Sequence, residues 1–139
     1  MTNWLAGMRL TADRLNDNTL QTTTTTGATA SAGFTLVSFS GRKVNGITTI
    51  QIVCSRSGAG IGQSAADSGD LNPDVNMATL PVGWRPPEQI QALWNSSAAD
   101  GGAIISTAGV VQLQTVSGNT GIANGHAPRV YASWISENG

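Results

Sequence analysis

Few residues in this chain could carry out covalent catalysis. It has a single histidine, His126, and a single cysteine, Cys54. A serine or cysteine nucleophile needs a basic partner, most often histidine, within hydrogen-bond reach. His126 lies in a stretch rich in Gly and Asn, whereas Cys54 lies in an apolar run, where a buried and unreactive thiol is expected. No nucleophile motif surrounds any serine. We therefore predict that the chain is not an enzyme.

The acidic residues also argue against catalysis. Hydrolysis of a glycosidic bond usually needs two carboxylates in one cleft. The eight acidic residues fall mostly in predicted turns, loops and helix caps, where carboxylates commonly bond backbone N–H groups. A glycan depolymerase is therefore the least favoured of the functions considered for this chain.

One segment carries oxygen ligands at the alternate positions Asp70, Asn72 and Asp74, as the start of a calcium-binding loop does. The sixth position of such a loop needs glycine and is Val75 here, and the twelfth needs a bidentate glutamate and is Pro81. Side chains of this kind in a loop rich in Gly and Ser also cap turns. The segment is a weak calcium candidate, and we predict neither a metal nor any other cofactor.

The best candidate for a binding site is Trp94 and Asn95 together with the nearby Asp100. An aromatic ring can stack on the apolar face of a sugar while amide and carboxylate groups bond its hydroxyls. The alternative for Trp94 is a place in the core, because it falls on the apolar face of a predicted strand. We take these three residues as a candidate saccharide site.

The overall composition limits which binding partners and which fold class are expected. Charged residues make up 11% of the chain, less than half the usual share, which favours strands and turns over exposed helices. The net charge is −1 and the only adjacent basic pair is Arg42-Lys43, so nucleic acid is not an expected partner. There is no apolar run near 18 residues and no signal-peptide pattern, so membrane insertion is not expected either.

The first 32 residues differ from the remainder. Thr11 is a suitable N-cap for a short amphipathic helix, with Asp13 in its first turn. The Thr-rich residues 21–32 lack bulky side chains, so they are predicted to be a connector, with an edge strand as the alternative. We expect residues 1–32 to dock or trimerise the chain and residues 33–139 to form its main domain.

From Gly33 onward the pattern is one of short strands. Asn45-Gly46 between two such runs predicts a two-residue hairpin. A second hairpin is predicted around Ala108-Gly109, a long loop over residues 55–76, and a turn at residues 100–102. Further strands are predicted at Glu88–Asn95 and Arg129–Ile135. This number of short strands predicts an all-β fold, a β-sandwich of the jelly-roll or a related Greek-key kind.

Two segments together resemble tail-associated proteins of bacteriophages. Residues 4–16 read WLAGMRLTADRLN and are similar to an N-terminal opening, "LTA-x-x-LN", found especially in phages of actinobacteria. Residues 80–86 read LPVGWRP and resemble the "LP-x-G-[YW]-R-P" phrase of head domains in tail-fibre and receptor-binding proteins. The Asn45-Gly46 hairpin and the closing aromatic strand fit the same head domains.

The resemblance implies a virion protein of the phage tail, assembled in the host cytoplasm. It implies a homotrimeric β-sandwich head that contacts other tail or baseplate proteins and recognises a host cell-surface glycan. The alternative is a capsid decoration, spike or baseplate accessory protein that binds no ligand.

Overall fold

The computed structural model describes residues 21–118 and 120–136. In these ranges the chain forms nine β-strands and no helix, so the predicted all-β class is confirmed. The predicted N-terminal helix and Trp4 lie outside the described residues. The strands are β1 (Gln21–Thr24), β2 (Thr29–Ala30), β3 (Phe34–Val44), β4 (Ile47–Arg56), β5 (Asp70–Thr79), β6 (Ile90–Asn95), β7 (Asp100–Ile105), β8 (Val110–Thr115) and β9 (Arg129–Ile135).

These strands form one curled antiparallel sheet in the order β1-β3-β4-β9-β6-β7-β8-β5-β2. The two short strands from the Thr-rich connector occupy opposite edges of the sheet. β1 pairs with β3 and β2 pairs with β5. The edge-strand alternative for the connector is therefore the one that the structure shows for residues 21–24 and 29–30.

The core fills the inner side of the curl, and strict alternation selects its residues. On β4, Ile50, Ile52 and Cys54 are fully buried, as predicted. On β9 the buried residues include Val130 and Trp134. Burial of each large apolar side chain contributes about 1.5–3 kcal/mol, so this face fixes the register of every strand that shares it.

The two predicted hairpins are confirmed. β3 and β4 are joined by Asn45 and Gly46 alone, with φ of 49° and 77°, the positive pair that a type I′ turn needs. β7 and β8 are antiparallel partners, and Gly109 in the turn between them has φ of 81°. The strands on either side of each turn therefore start in a defined register.

The break in alternation near Val37 is a bulge. The pairing of β3 with β4 shifts register between Leu36 and Ser38. Val37 is 60% exposed, while Phe39 returns to the core at 4%. The extra residue lets an 11-residue strand keep its apolar side chains inward on both sides of the bulge.

Two sequence predictions about loops are wrong. The segment from Asp70 onward is strand β5, so the long loop ends several residues earlier than predicted. Residues 100–102 lie inside β7, and the turn is at residues 96–99, with φ of 64° at Ser97. The glycines serve close packing there: a Cβ on Gly101 would lie 1.9 Å from the carbonyl oxygen of Thr115.

Residues 80–86 link separate parts of the sheet. The ring of Trp84 lies over Gly41 of β3, where a Cβ would come within 2.6 Å of the ring. The side chain of Arg85 lies against Gly109 in the β7–β8 turn, where a Cβ would meet it at 2.8 Å. Trp84 and Arg85 therefore have a structural role, because they pack this segment against β3 and the β7–β8 turn.

Candidate functional site

The outer face of the sheet carries large apolar side chains where polar ones would be usual. Tyr131 on β9 is 67% exposed and Leu93 on β6 is 77% exposed. They are register partners, and Gln51 on β4 is the partner of Tyr131 on its other side. Alternation within each strand turns all three away from the core, so they form a row across three neighbouring strands.

A second, polar row runs beside the first. Two residues further along each strand, about 7 Å away, Asn95 is paired with Arg129 on one side and with Asp100 on the other. All three residues are exposed. An apolar row therefore lies next to an amide, a guanidinium and a carboxylate.

The two rows line an open cleft with a volume of about 470 Å³. We call it the Asn95 cleft; the residues that define it are Gln51, Leu93, Asn95, Asp100, Arg129 and Tyr131. Its chemistry combines an aromatic surface with several hydrogen-bonding groups, as a site for a polar organic ligand does.

Two polar groups of the cleft, those of Asn95 and Asp100, are held in place by hydrogen bonds from neighbouring residues. Asn95 Oδ1 accepts a hydrogen bond of 2.9 Å from the Ser97 N–H, so the amide of Asn95 has its Nδ2 group left as a donor. The Ser117 hydroxyl donates to Asp100 Oδ1 at 2.7 Å. Positioning of this kind reduces the entropy lost when a ligand binds.

Trp94, the aromatic residue of the sequence-predicted site, lies at the bottom of the cleft and belongs to the core. It is 1% exposed, and its Nε1 donates a hydrogen bond of 2.9 Å to the Thr115 carbonyl oxygen. Its ring faces are therefore closed to a sugar. Trp94 is part of the hydrophobic core, which was the alternative prediction for it. The exposed aromatic ring at this cleft is Tyr131.

The structure thus brings Asn95 and Asp100 together and adds residues that sequence reasoning missed: Gln51, Leu93, Arg129 and Tyr131. A signal for one of them was present. Tyr131 alternates with Val130 and Ala132 in the closing strand, so it had to point outward, and a large ring there was unusual.

The weak calcium candidate lies elsewhere, on β5. Asp70, Asn72 and Asp74 are all exposed, in an extended strand instead of a loop that wraps around an ion. Among the described residues, no group of three or more His, Cys, Asp or Glu side chains could hold a metal ion.

Cys54 and His126 do not form a nucleophile pair in this structure. The Cys54 thiol is buried, and this burial raises its pKa to about 11, so it stays protonated at neutral pH. His126 Nδ1 accepts the N–H of Ala123 at 3.3 Å. The predicted buried thiol is confirmed.

Comparison with protein-family models gives no match, and a search of curated proteins finds no matching relative. Within the described ranges, no helix is long and apolar enough to cross a membrane.

Proposed function

We propose that this chain is an adhesion protein of a phage tail, a receptor-binding or tail-tip module that recognises a host cell-surface saccharide in the Asn95 cleft. The observation that carries the proposal is the exposed pair Tyr131 and Leu93 beside the polar row. The resemblance of residues 4–16 and 80–86 to phage tail proteins supplies the biological setting.

The cleft suits a sugar for a specific chemical reason. A pyranose ring has an apolar face of C–H groups and a rim of hydroxyls, and it needs both kinds of partner at once. The Tyr131 ring offers a surface for the apolar face, while Asn95, Asp100 and Arg129 offer donors and acceptors for the rim. Because neighbouring strands set the spacing of these groups, the site is formed before the ligand arrives.

The proposal is for binding without catalysis. Among the described residues that line the cleft, Asp100 alone carries a carboxylate. Glycoside hydrolases usually need a second carboxylate at a fixed separation across the scissile bond. The buried, protonated Cys54 thiol supports the same conclusion for nucleophilic catalysis.

The proposal includes a homotrimeric head of the jelly-roll-like sandwich kind, attached to other tail or baseplate proteins. Ile47 and Ile135 support an interface between copies of the chain. They are register partners at one end of β4 and β9, and they are 51% and 77% exposed. An adjacent apolar pair of this kind gains free energy when another subunit covers it.

Binding of the labelled full chain to bacterial cells and to their purified wall polysaccharide tests the function. We expect saturable binding that soluble polysaccharide competes, and binding about tenfold weaker for Tyr131→Ala. Gln91→Ala is the matched control, because Gln91 is exposed on the same face of β6 but does not line the cleft.

Failure of the chain to bind any saccharide would overturn the proposal in favour of a capsid decoration or accessory protein. Release of reducing sugar from wall material would instead support the depolymerase. Immunogold labelling of virions would place the protein on the tail, as proposed, or on the capsid.

A further inference from the structure

A second cleft adjoins the Asn95 cleft on the other side of Tyr131. Its volume is about 280 Å³, and Tyr131 and Gln51 line both clefts. We call it the Ser40 cleft; its other defining residues are Thr23, Thr24, Ser40, Arg42 and Thr49. Tyr131 therefore stands between two depressions on one face of the sheet.

The pairing of the strands aligns the two clefts. Ser40 is the partner of Gln51, Gln51 of Tyr131, and Tyr131 of Leu93. These four exposed side chains thus form one row across β3, β4, β9 and β6. Three strand spacings make the row about 14 Å long, which is more than a single sugar ring covers.

We propose that the two clefts are one groove, which binds a linear saccharide chain of several sugar units lying across the strands. Tyr131 lies under the middle of the chain, with one end in the Asn95 cleft and the other in the Ser40 cleft. This inference rests on the proposed function and extends it from a single sugar to a polymer.

The side chains of the Ser40 cleft fit this occupant. Thr23 and Ser40 present hydroxyls, which donate to and accept from sugar hydroxyls equally well. Arg42 adds a guanidinium, and its Nη2 donates to Gln21 Oε1 at 3.0 Å, which orients it beside the edge strand. The Thr-rich β1 therefore has a role as the wall of the groove, a use for the connector that composition alone did not suggest.

The test is length dependence of binding. A glycan array that carries one to six linked units of hexoses, N-acetylhexosamines and pentoses is probed with the full chain and with Ser40→Tyr, which fills the second cleft. We expect wild-type affinity to rise at least tenfold from one unit to chains of three or more. We expect Ser40→Tyr to lose this gain, so that it binds long chains no more tightly than single units.

Ser38→Tyr is the matched control, because Ser38 is exposed on β3 two residues away and does not line the cleft. Equal affinity for short and long chains, or an unchanged gain in Ser40→Tyr, would overturn the inference and leave the proposed function standing. No binding to any sugar on the array would overturn both this inference and the proposed function. Thermal unfolding of each variant separates a lost site from a lost fold.

Discussion

The indole Nε1 of Trp94 lies 2.9 Å from the carbonyl oxygen of Thr115, to which it donates a hydrogen bond. The two residues belong to β6 and β8, and β7 runs between them. Gly101 of β7 makes the contact feasible, since a Cβ there would lie 2.8 Å from Nε1 and 1.9 Å from the carbonyl oxygen. Trp94 and Gly101 line the Asn95 cleft, so this contact couples the shape of the cleft to the core.

Replacement of Trp94 by Phe is expected to destabilise the fold. The change removes the part-buried hydrogen bond to the Thr115 carbonyl oxygen and leaves a small cavity, at a combined cost of about 2–4 kcal/mol. Urea unfolding at fixed protein concentration measures the loss. A midpoint equal to that of wild type would show that the hydrogen bond contributes no net stability.

Gly101→Ala is expected to cost about 1–3 kcal/mol or more, because the methyl group would overlap the Thr115 carbonyl and force the strands apart. Gly62→Ala is the matched control, since a Cβ there meets nothing within 4 Å. We expect the control to lie within about 0.5 kcal/mol of wild type. Equal unfolding midpoints for the two variants would contradict the packing role of Gly101.

Gly46→Ala is expected to destabilise the β3–β4 hairpin by about 1 kcal/mol, because Gly46 adopts φ of 77°, which an L-residue with a Cβ rarely adopts. Gly60→Ala serves as the comparison, because its Cβ would meet only ordinary contacts of 3.6 Å and beyond. Thermal unfolding of the two variants measures the difference. A melting temperature for Gly46→Ala as high as that of Gly60→Ala would argue against the turn type.

Stability is expected to fall in alkaline solution because of Cys54. Burial raises the pKa of its thiol from 9.0 to about 11, so the unfolded chain releases this proton at a lower pH than the folded one. The contribution of the protonated thiol to the free energy of unfolding is therefore fully present below about pH 9. It is lost as the pH rises towards 11, by up to about 1.4 kcal/mol per pH unit.

Cys54→Ala isolates this effect from other groups that titrate in the same range. Unfolding of both proteins under reducing conditions from pH 8 to 11 should show the stability advantage of wild type shrinking as the pH rises. If the stabilities of the two proteins fell in parallel with pH, the Cys54 thiol would not be the cause of the pH dependence.

Much of the strand pattern could be predicted from the sequence. The positions of Ile50, Ile52 and Trp94 on inner faces followed from a period of two, and the Asn45-Gly46 turn followed from the need for positive φ. Residues 100–102 were predicted to form a turn but lie in β7, because glycine occurs both in turns and where two backbones approach closely.

The sequence by itself determined the all-β class and the two hairpins, and it showed how few side chains could act in catalysis, because each depends on local geometry or on an inventory of side chains. Only the tertiary structure decided which residues meet in the cleft. Tyr131, Leu93 and Gln51 are far apart in the chain, and they become neighbours through the pairing of β9 with both β6 and β4. That pairing is set by burial of the opposite face of each strand, a property of the whole sheet that no single segment contains.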